Sequence, residues 1–402
     1  MDRHGDVQVA ERRLRVKILD APSGRQLVAT MLLAWEILKG WVSTPRDTQR
    51  WYWYVTYDYG FVRRGLAGEL VQAVSQDFSA VDFAVRIGGV APAALLAVVA
   101  FALVRRQTPA EWGLGLLILA SPFTIQHQLF VQRPDQLGLL VIALAGISLT
   151  TRKPWRLPFL IATGVILSIL VLIHEVTLLE CLPWLFLLEA VLGHGSWRVS
   201  LRHLIPLLAP ALLSATAVVA KGSKIGPIEI AAMKTSAGGL GLMGVDSFDF
   251  LDDGLTQSWG YVALYGWQLF PMLVLGLALL ALHAAAVAGF GLPVVAPSRA
   301  RVMLVATACA GSLTIQMATG IDWLRWIANL GAYGLLSLGV IVLRRRDSWA
   351  PLPQKPASWA LAPVAVLALV PPVPVFLLPP EVYTYWLDAL RGPYLRVMKF
   401  LG

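Results

Sequence analysis

Charged residues are scarce in this sequence. Only 14% of the 402 residues are Asp, Glu, Lys or Arg, whereas about 25% is usual for a soluble domain. With 57% hydrophobic residues and a mean hydropathy of +0.66, the chain lacks the polar surface that a water-soluble fold requires. The composition therefore predicts an integral membrane protein, in which length sets the number of spans rather than the number of globular domains.

Cysteine is also rare. Cys181 and Cys309 both lie in apolar runs, so neither a disulfide framework nor a cysteine metal cluster is predicted. The first 25 residues are polar and basic, without the apolar core and small-residue cleavage site of a signal peptide. The net charge of +9 is expected to reflect membrane topology and anionic lipid, so we expect no nucleic-acid partner.

Long apolar runs occupy most of the sequence. Because a hydrocarbon core about 30 Å thick requires roughly 20 apolar residues per helix, these runs predict an all-α bundle of about 11 spans, within a range of about 9–13. The predicted spans are 26–42, 84–104, 113–130, 135–150, 157–174, 176–192, 204–220, 267–290, 302–319, 325–343 and 358–378. The domain organisation is then a basic tail at 1–25, a transmembrane catalytic domain at 26–378 and a second tail at 379–402.

Basic residues alternate with these spans. They cluster in the first tail and at 105–106, 152–156, 198–202, 299–301 and 344–346. Since cytoplasmic loops are enriched in Lys and Arg, the N-terminus is predicted inside and the C-terminus outside, in a bacterial cytoplasmic membrane. The long connections 43–83 and 221–266 then lie outside. Because long loops are usually functional, we expect the active site on the outer face.

The first outer loop contains a Trp-Tyr-Trp-Tyr run from position 51, followed by Asp58 and the pair Arg63-Arg64. One interpretation is an aromatic belt at the headgroup level, with both arginines on lipid phosphate. In the other, the segment folds back at Gly60 and Asp58 is a base beside an arginine phosphate clamp. From Leu66 onward, the spacing of apolar residues predicts an interfacial amphipathic helix.

Three further outer segments combine acids with bases. They are Arg133 with Asp135, His174 with Glu175 and Glu180, and Asp322 with Arg325. Helix caps, a polar network between helices and an ion pair three residues apart are the structural interpretations. Ionisable groups at membrane depth are otherwise candidates for a functional site. No zinc-protease motif is present, because position 178 is Leu where the second histidine would stand.

The aromatic loop with Asp58 after the first span, the amphipathic helix that follows and the number of spans resemble the GT-C superfamily of polyprenyl-phosphate-sugar-dependent glycosyltransferases. The resemblance implies that Asp58, as the carboxylate of the first outer loop, is the general base. The sequence departs from members with a large soluble C-terminal domain. It also has no paired-acid motif in the second outer loop, so a divalent metal is not indicated. The RRG, RPD, HE and DWLRW strings are also similar to those of Wzy- and EpsG-type polysaccharide polymerases.

A lipid-linked sugar donor places an apolar tail in the bilayer and an anionic phosphate at its surface. Its enzyme needs arginines for the phosphate and a carboxylate that deprotonates the acceptor hydroxyl. We therefore expect a membrane glycosyltransferase that builds or modifies a cell-envelope glycan. A polysaccharide polymerase or ligase is the alternative, and a lipid or solute transporter is a further one.

The expected site follows from these roles. Asp58 is the general base; Arg63, Arg64, Arg133 and Arg325 bind the donor phosphate; Asp135, His174, Glu175, Glu180 and Asp322 form a supporting polar cluster. We expect no cofactor. The expected partners are the polyprenyl-phosphate-linked sugar, a glycan or lipid-linked acceptor, and membrane lipid.

Overall fold

The computed structural model describes residues 19, 21–41, 50–58, 64–75, 78–193, 197–222, 225–239, 251, 255–291, 299–319, 322–344, 357 and 359–370. All regular secondary structure in these ranges is helical, so the all-α class is confirmed. The α-helices are α1 (Pro22–Trp41), α2 (Gly65–Val74), α3 (Phe78–Val104), α4 (Pro109–Ala120), α5 (Ile125–Val131), α6 (Gly138–Thr150), α7 (Lys153–Ile173), α8 (Val176–Leu192), α9 (Trp197–Lys221), α10 (Pro227–Gly239), α11 (Leu255–Gly289), α12 (Arg299–Thr319), α13 (Trp323–Arg344) and α14 (Leu361–Leu369). Short 3-10 turns occur at Trp51–Trp53 and Pro134–Leu137.

Six helical stretches in the described ranges are long and apolar enough to cross a membrane. They are Ser79–Val104, Pro109–Val131, Lys153–Ile173, Val199–Lys221, Met272–Gly289 and Trp323–Arg344. Two shorter apolar helices, Pro134–Thr150 and Met303–Ala318, coincide with two more predicted spans. The chain is thus a multi-pass membrane protein, whereas the number of eleven spans and the orientation stay predictions.

The remaining predicted spans also coincide with helices. The predictions at 26–42 and 176–192 match α1 and α8, which contain the buried acids Glu36, Glu180 and Glu189. The prediction at 358–378 is described only as far as residue 370, and it contains α14. The tail at 379–402 and most of the tail at 1–25 lie outside the described residues.

Helices α7 and α9 pack side by side and present apolar side chains outward. Gly164 of α7 lies so close to α9 that an added Cβ would be 2.3 Å from the Pro206 carbonyl oxygen. Small residues permit this close helix approach in membranes. The exposed apolar side chains of the two helices include Trp155, Leu157, Phe159, Ile205, Leu213 and Val219. An apolar surface of this extent is suited to lipid contact.

The stretch Pro109–Val131 is broken between α4 and α5 at residues 121–124. Irregular backbone within a membrane span is tolerated where other groups satisfy it. Here the Phe123 amide donates to Ser121 Oγ (3.1 Å) and Thr124 Oγ1 donates to the Ser121 carbonyl (2.8 Å). After α5, Gln132 adopts a left-handed backbone (φ 51°) and the chain enters the 3-10 turn. This turn places Arg133 and Asp135 inside the bundle.

Helices α8 and α13 form the centre of the bundle. Helix α13 packs against α6, α8 and α11, and α8 also packs against α6 and α12. The 3-10 turn Pro134–Leu137 contacts α8 as well. Consequently, the N-terminal turns of α8 and α13 lie next to the turn that carries Asp135.

Candidate functional site

Acids and bases from four distant chain segments meet at one end of this centre. We name this group the ionic cluster and define it as Arg64, Arg133, Asp135, Glu175, Glu180, Asp322, Arg325 and Asn329. It joins the start of α2, the 3-10 turn, the start of α8 and the first turns of α13. Most of the sequence-predicted site residues are therefore brought together.

Asp322 and Arg325 form the pair that their spacing of three residues predicts. Arg325 Nε and Nη2 donate to Asp322 Oδ2 at 3.2 and 3.0 Å. Arg133 Nη1 donates to the same oxygen at 2.9 Å, and Arg325 Nη1 also donates to Asp135 Oδ2. Both arginines are almost fully buried, as is Asp135. Charges can be buried at this depth because each guanidinium is paired and hydrogen-bonded.

Asn329 connects this pairing to two other helices. Its Nδ2 donates to Asp135 Oδ2 (3.1 Å) and to Glu180 Oε1 (2.8 Å), while its Oδ1 lies 3.1 Å from His127 Nε2. Since the amide nitrogen faces both carboxylates, the amide oxygen accepts from His127 Nε2–H. The Tyr333 hydroxyl, one turn further along α13, donates to the Asp135 carbonyl at 2.7 Å.

Arg64 binds Glu175 through a bidentate ion pair. Its Nε and Nη2 donate to the two carboxylate oxygens at 3.1 and 2.7 Å. Burial lowers the pKa of Arg64, but the charge and hydrogen bond of Glu175 together with the nearby Tyr52 outweigh burial, and the net pKa is raised. The guanidinium also lies 5.1 Å from the centroid of the Tyr52 ring, and Arg133 lies 4.4 Å from the same centroid. Tyr52 is thus held between two cations.

His174 lies beside this aromatic ring, directly after α7. Its ring centroid is 5.4 Å from that of Tyr52, and only 1% of the residue is exposed. The pKa of His174 is lowered to about 3, chiefly by burial; Asp135 and Glu175 oppose this shift, and Arg64 and Arg325 contribute to it. The imidazole is therefore neutral at physiological pH, with one nitrogen that donates a hydrogen bond and one that accepts.

The loop at residues 50–58 is fixed onto α2, where the sequence predicts an amphipathic helix. The Gly68 amide donates to the Val55 carbonyl at 3.0 Å, and a Cβ at Gly68 would be 2.1 Å from that oxygen. The Tyr57 amide donates to Glu69 Oε1 at 2.7 Å. Arg64 precedes the helix in a left-handed conformation (φ 69°), which directs the chain into the cluster.

Asp58 lies apart from the ionic cluster at the surface of this loop. It is exposed, and its Oδ2 accepts a hydrogen bond from Thr56 Oγ1 at 3.1 Å. Arg64 forms an ion pair with Glu175. Arg63, the other predicted phosphate ligand of this loop, lies outside the described residues.

One residue of the ionic cluster, Asn329, and two residues that contact the cluster, His127 and Tyr333, were not predicted from the sequence. Asp322, Arg325, Asn329 and Tyr333 recur at intervals of three or four residues, which is the spacing of one helix face. This pattern was available as a signal for Asn329 and Tyr333. His127 was part of a polar triplet in the second outer turn, but nothing in the sequence indicates that it binds Asn329. Among the described residues, no group of three or more His, Cys, Asp or Glu is placed to hold a metal ion.

Comparison with known proteins gives relatives without a described activity. Two of them, the uncharacterized protein Rv1490 of Mycobacterium tuberculosis and the uncharacterized protein Mb1527 of Mycobacterium bovis, are each 30% identical over 196 residues. The matched region is 46% of this chain and 42% of each relative, so the chain spans less than half the length of these relatives. No solved structure matches the chain significantly.

The family match covers most of the cluster. Residues 26–230 match the family described as "Uncharacterised membrane protein Rv1490", which is about half of the chain. This region includes Arg64, Arg133, Asp135 and the start of α8, whereas the first turns of α13 follow it. The chain belongs to the Rv1490 family of uncharacterised membrane proteins.

Proposed function

We propose that this protein is a membrane glycosyltransferase that uses a polyprenyl-phosphate-linked sugar to build or modify a cell-envelope glycan. The observation that carries the proposal is the ionic cluster itself. Three guanidinium groups and four carboxylates from four chain segments come together beside Tyr52 of the aromatic loop, and four of these groups, those of Arg133, Asp135, Glu180 and Arg325, are buried. Ionisable groups are costly inside a membrane bundle, and those that occur there usually serve function.

The proposed roles follow from exposure. Asp58 is exposed at the edge of the loop whose Tyr52 reaches into the cluster, so a water-borne acceptor can reach its carboxylate. In the reaction, Asp58 removes the proton of the acceptor hydroxyl, whose oxygen then bonds to the anomeric carbon. The bond from that carbon to the phosphate oxygen breaks, and polyprenyl phosphate leaves. Arg64, the least buried arginine of the cluster, binds the phosphate in this proposal.

Helix α2 supports the proposal by offering a surface next to the bilayer that contains the lipid tail of the donor. Helix α2 follows the loop and exposes Leu70 and Val74, while Val71 packs inward. A short helix with this distribution lies at a membrane surface with its exposed apolar side chains in lipid. Such a helix would hold the loop with Asp58 at the height of a lipid-linked phosphate.

The proposal requires that the cluster faces the non-cytoplasmic side. Topology reporters that are active only in the cytoplasm should be active at 105–112, 152–156, 193–203 and 344–357. Reporters active only outside should be active at 58–80 and 225–260. A cytoplasmic result for 58–80 would place every proposed site residue on the wrong face and reject the proposal.

The direct test is sugar transfer by the purified 402-residue chain in vesicles. The donors are a panel of polyprenyl-monophosphate-linked hexoses and pentoses, each radiolabelled in the sugar, with a cell-envelope extract as acceptor. We expect label to move from the lipid to the acceptor with one donor of the panel. The proposal is wrong if no donor supports transfer by protein that is folded in these vesicles.

Transport is the second candidate, and the complete burial of Arg133, Asp135 and Asn329 favours it. Transporters bind substrates at polar sites deep within the bundle, often at broken helices such as α4–α5. The same vesicles separate the two candidates. Movement of intact labelled lipid between leaflets, without transfer of label to the acceptor, would favour a transporter.

A further inference from the structure

At the start of α8 and in the segments that pack against it, several buried polar atoms have no hydrogen-bond partner among the described residues. These atoms are Nδ1 and Nε2 of His174, Oγ1 of Thr177, Oε2 of Glu180, Oδ1 of Asp135 and Nδ1 of His127. Each of the five residues is at most 1% exposed. Because an unsatisfied buried polar group is costly, a concentration of such groups indicates a ligand.

Backbone and side-chain contacts connect the residues that carry these atoms. Thr177 and Glu180 are three residues apart on α8, so their side chains share a helix face. The Thr177 amide donates to the His174 carbonyl at 3.1 Å, which fixes His174 at the base of that face. Glu180 and Asp135 both accept from Asn329 Nδ2, at 2.8 and 3.1 Å. One amide group therefore holds both carboxylates, and each has a second oxygen unbonded to the described residues.

Each arginine of the ionic cluster already has a carboxylate partner. Arg64 pairs with Glu175, Arg133 with Asp322, and Arg325 with both Asp135 and Asp322. A phosphate brought to the start of α8 would meet the carboxylate oxygens of Asp135 and Glu180 and be repelled. A metal cation would meet the guanidinium group of Arg325, which already binds Asp135. Both kinds of charged ligand are therefore disfavoured here.

A neutral ligand with several hydroxyl groups fits the unsatisfied atoms. The Thr177 hydroxyl both donates and accepts, the Asp135 oxygen accepts, and a neutral His174 ring has one donor and one acceptor. Each hydroxyl of a sugar ring likewise donates one hydrogen bond and accepts others. The mixture of donors and acceptors thus matches a polyhydroxylated ring and not an anion.

We propose that His174, Thr177, Glu180 and Asp135 form the subsite that binds the hydroxyl groups of the donor sugar, while the donor phosphate stays outside it, near Arg64. This inference rests on the proposed function, and it assigns the buried part of the site to the sugar rather than to the phosphate. It revises the sequence-based expectation for Arg133 and Arg325: Arg325 here positions Asp135 through its ion pair, and Arg133 binds Asp322, the other carboxylate that Arg325 holds.

Lipid binding by the reconstituted protein tests this assignment directly. The probes are the polyprenyl-phosphate-linked sugars of the donor panel and polyprenyl phosphate without sugar, and binding is measured with radiolabelled lipid. Wild-type protein should bind one sugar-linked probe at least about tenfold more tightly than the bare lipid phosphate, as expected when several buried hydrogen bonds are made. Equal affinity for the bare lipid phosphate and every sugar-linked probe would overturn the subsite.

Thr177→Val removes one hydroxyl and keeps the side-chain shape. It should weaken binding of the sugar-linked probe about tenfold and leave the affinity for bare lipid phosphate unchanged. Thr177→Ser keeps a hydroxyl at this position and should bind both lipids with wild-type affinity. Thr163→Val is the matched control, because the buried Thr163 hydroxyl donates to the Phe159 carbonyl (2.7 Å) within α7. It should change neither affinity. Thr177→Ala serves as a second variant with the same expected loss.

Unchanged discrimination in folded Thr177→Val or Thr177→Ala protein would show that the subsite is wrong. The outcomes for subsite and function are separable. If wild-type protein discriminates as expected but transfers no sugar, the glycosyltransferase proposal fails and the subsite stands. If it transfers sugar while the Thr177 variants discriminate like wild type, the function stands and the subsite fails.

Discussion

Both ends of α8 contain buried acidic residues, but the hydrogen bonding of these residues differs between the two ends. Near the C-terminal end, Glu189 Oε1 lies 3.3 Å from His203 Nδ1. The neighbouring Arg301 donates to the Ala190 carbonyl (3.0 Å) and lies 3.5 Å from Ser200 Oγ. Among the described residues at this end, the polar side chains bind one another and the backbone, as expected for a network that joins α8, α9 and α12.

At the N-terminal end, the ionic cluster contains more charge and is less satisfied. Glu180 and Asp135 each have an oxygen without a partner among the described residues, and so does Thr177. A buried acid does not by itself distinguish a site from a structural network, since both ends contain one. The unsatisfied atoms make the distinction, because folding alone gives no reason to bury them.

The largest expected effect comes from removing the proposed general base, Asp58, which lies in the loop whose Tyr52 contacts the ionic cluster. Asp58→Asn keeps the size of the side chain and removes the base, so sugar transfer should fall by about two to four orders of magnitude. Thermal stability should be unchanged, because Asp58 is exposed and its one described hydrogen bond is the local one from Thr56. Transfer rates and unfolding temperatures of purified variant and wild type check both parts. Glu229→Gln, on α10, provides the control with an acidic residue of the other long segment that the sequence predicts to be outside. Near-normal turnover by folded Asp58→Asn would exclude this residue as the base.

The next effect concerns stability. Arg325→Met removes the guanidinium that binds both Asp135 and Asp322, leaving buried carboxylates without this charge. We expect the free energy of unfolding to fall by about 3–5 kcal/mol. Unfolding of the protein in detergent, induced by denaturant or by heat, measures the loss.

A triple variant with Asp135→Asn and Asp322→Asn removes the opposing charges as well. It should recover part of the stability that Arg325→Met alone loses. If Arg325→Met alone is as stable as wild type, the cluster does not depend on its ion pairs.

Parts of this arrangement follow from the sequence, and others do not. The apolar runs predicted the helices because a membrane imposes length and composition on each span. The Asp322–Arg325 pair followed from helical spacing. The contacts of Arg133 with Asp322 and of Arg325 with Asp135 join residues 189 and 190 positions apart. One sequence contains no information on which helix ends meet, so these pairings required the structure.

The pH dependence of stability distinguishes the two ends more finely. Burial lowers the pKa of His174 to about 3, whereas an unfolded histidine titrates near about 6.5. The unfolded state therefore binds the proton first, and stability falls as the pH decreases from about 6.5 toward 3, by up to about 1.4 kcal/mol per pH unit. His174→Gln should lose this contribution and show a shallower decline. Unfolding free energies at several pH values between 7 and 5 measure the difference. Parallel curves for variant and wild type would contradict a neutral buried His174.

The smallest effect is expected at the C-terminal end of α8. Glu189→Gln keeps the shape and an oxygen acceptor for His203, so only the charge of one satisfied contact is lost. A hydrogen bond of this kind contributes about 0.5–1.5 kcal/mol, and the variant should lose no more than this. Sugar transfer and binding of the sugar-linked probe should remain at wild-type levels, because Glu189 lies nine positions, or about 13 Å along the helix, from Glu180. Unfolding measurements and transfer assays on the same preparation test both statements. A large loss of transfer in stable Glu189→Gln protein would mean that the unsatisfied atoms are not what separates the two ends, and that function extends along the whole of α8.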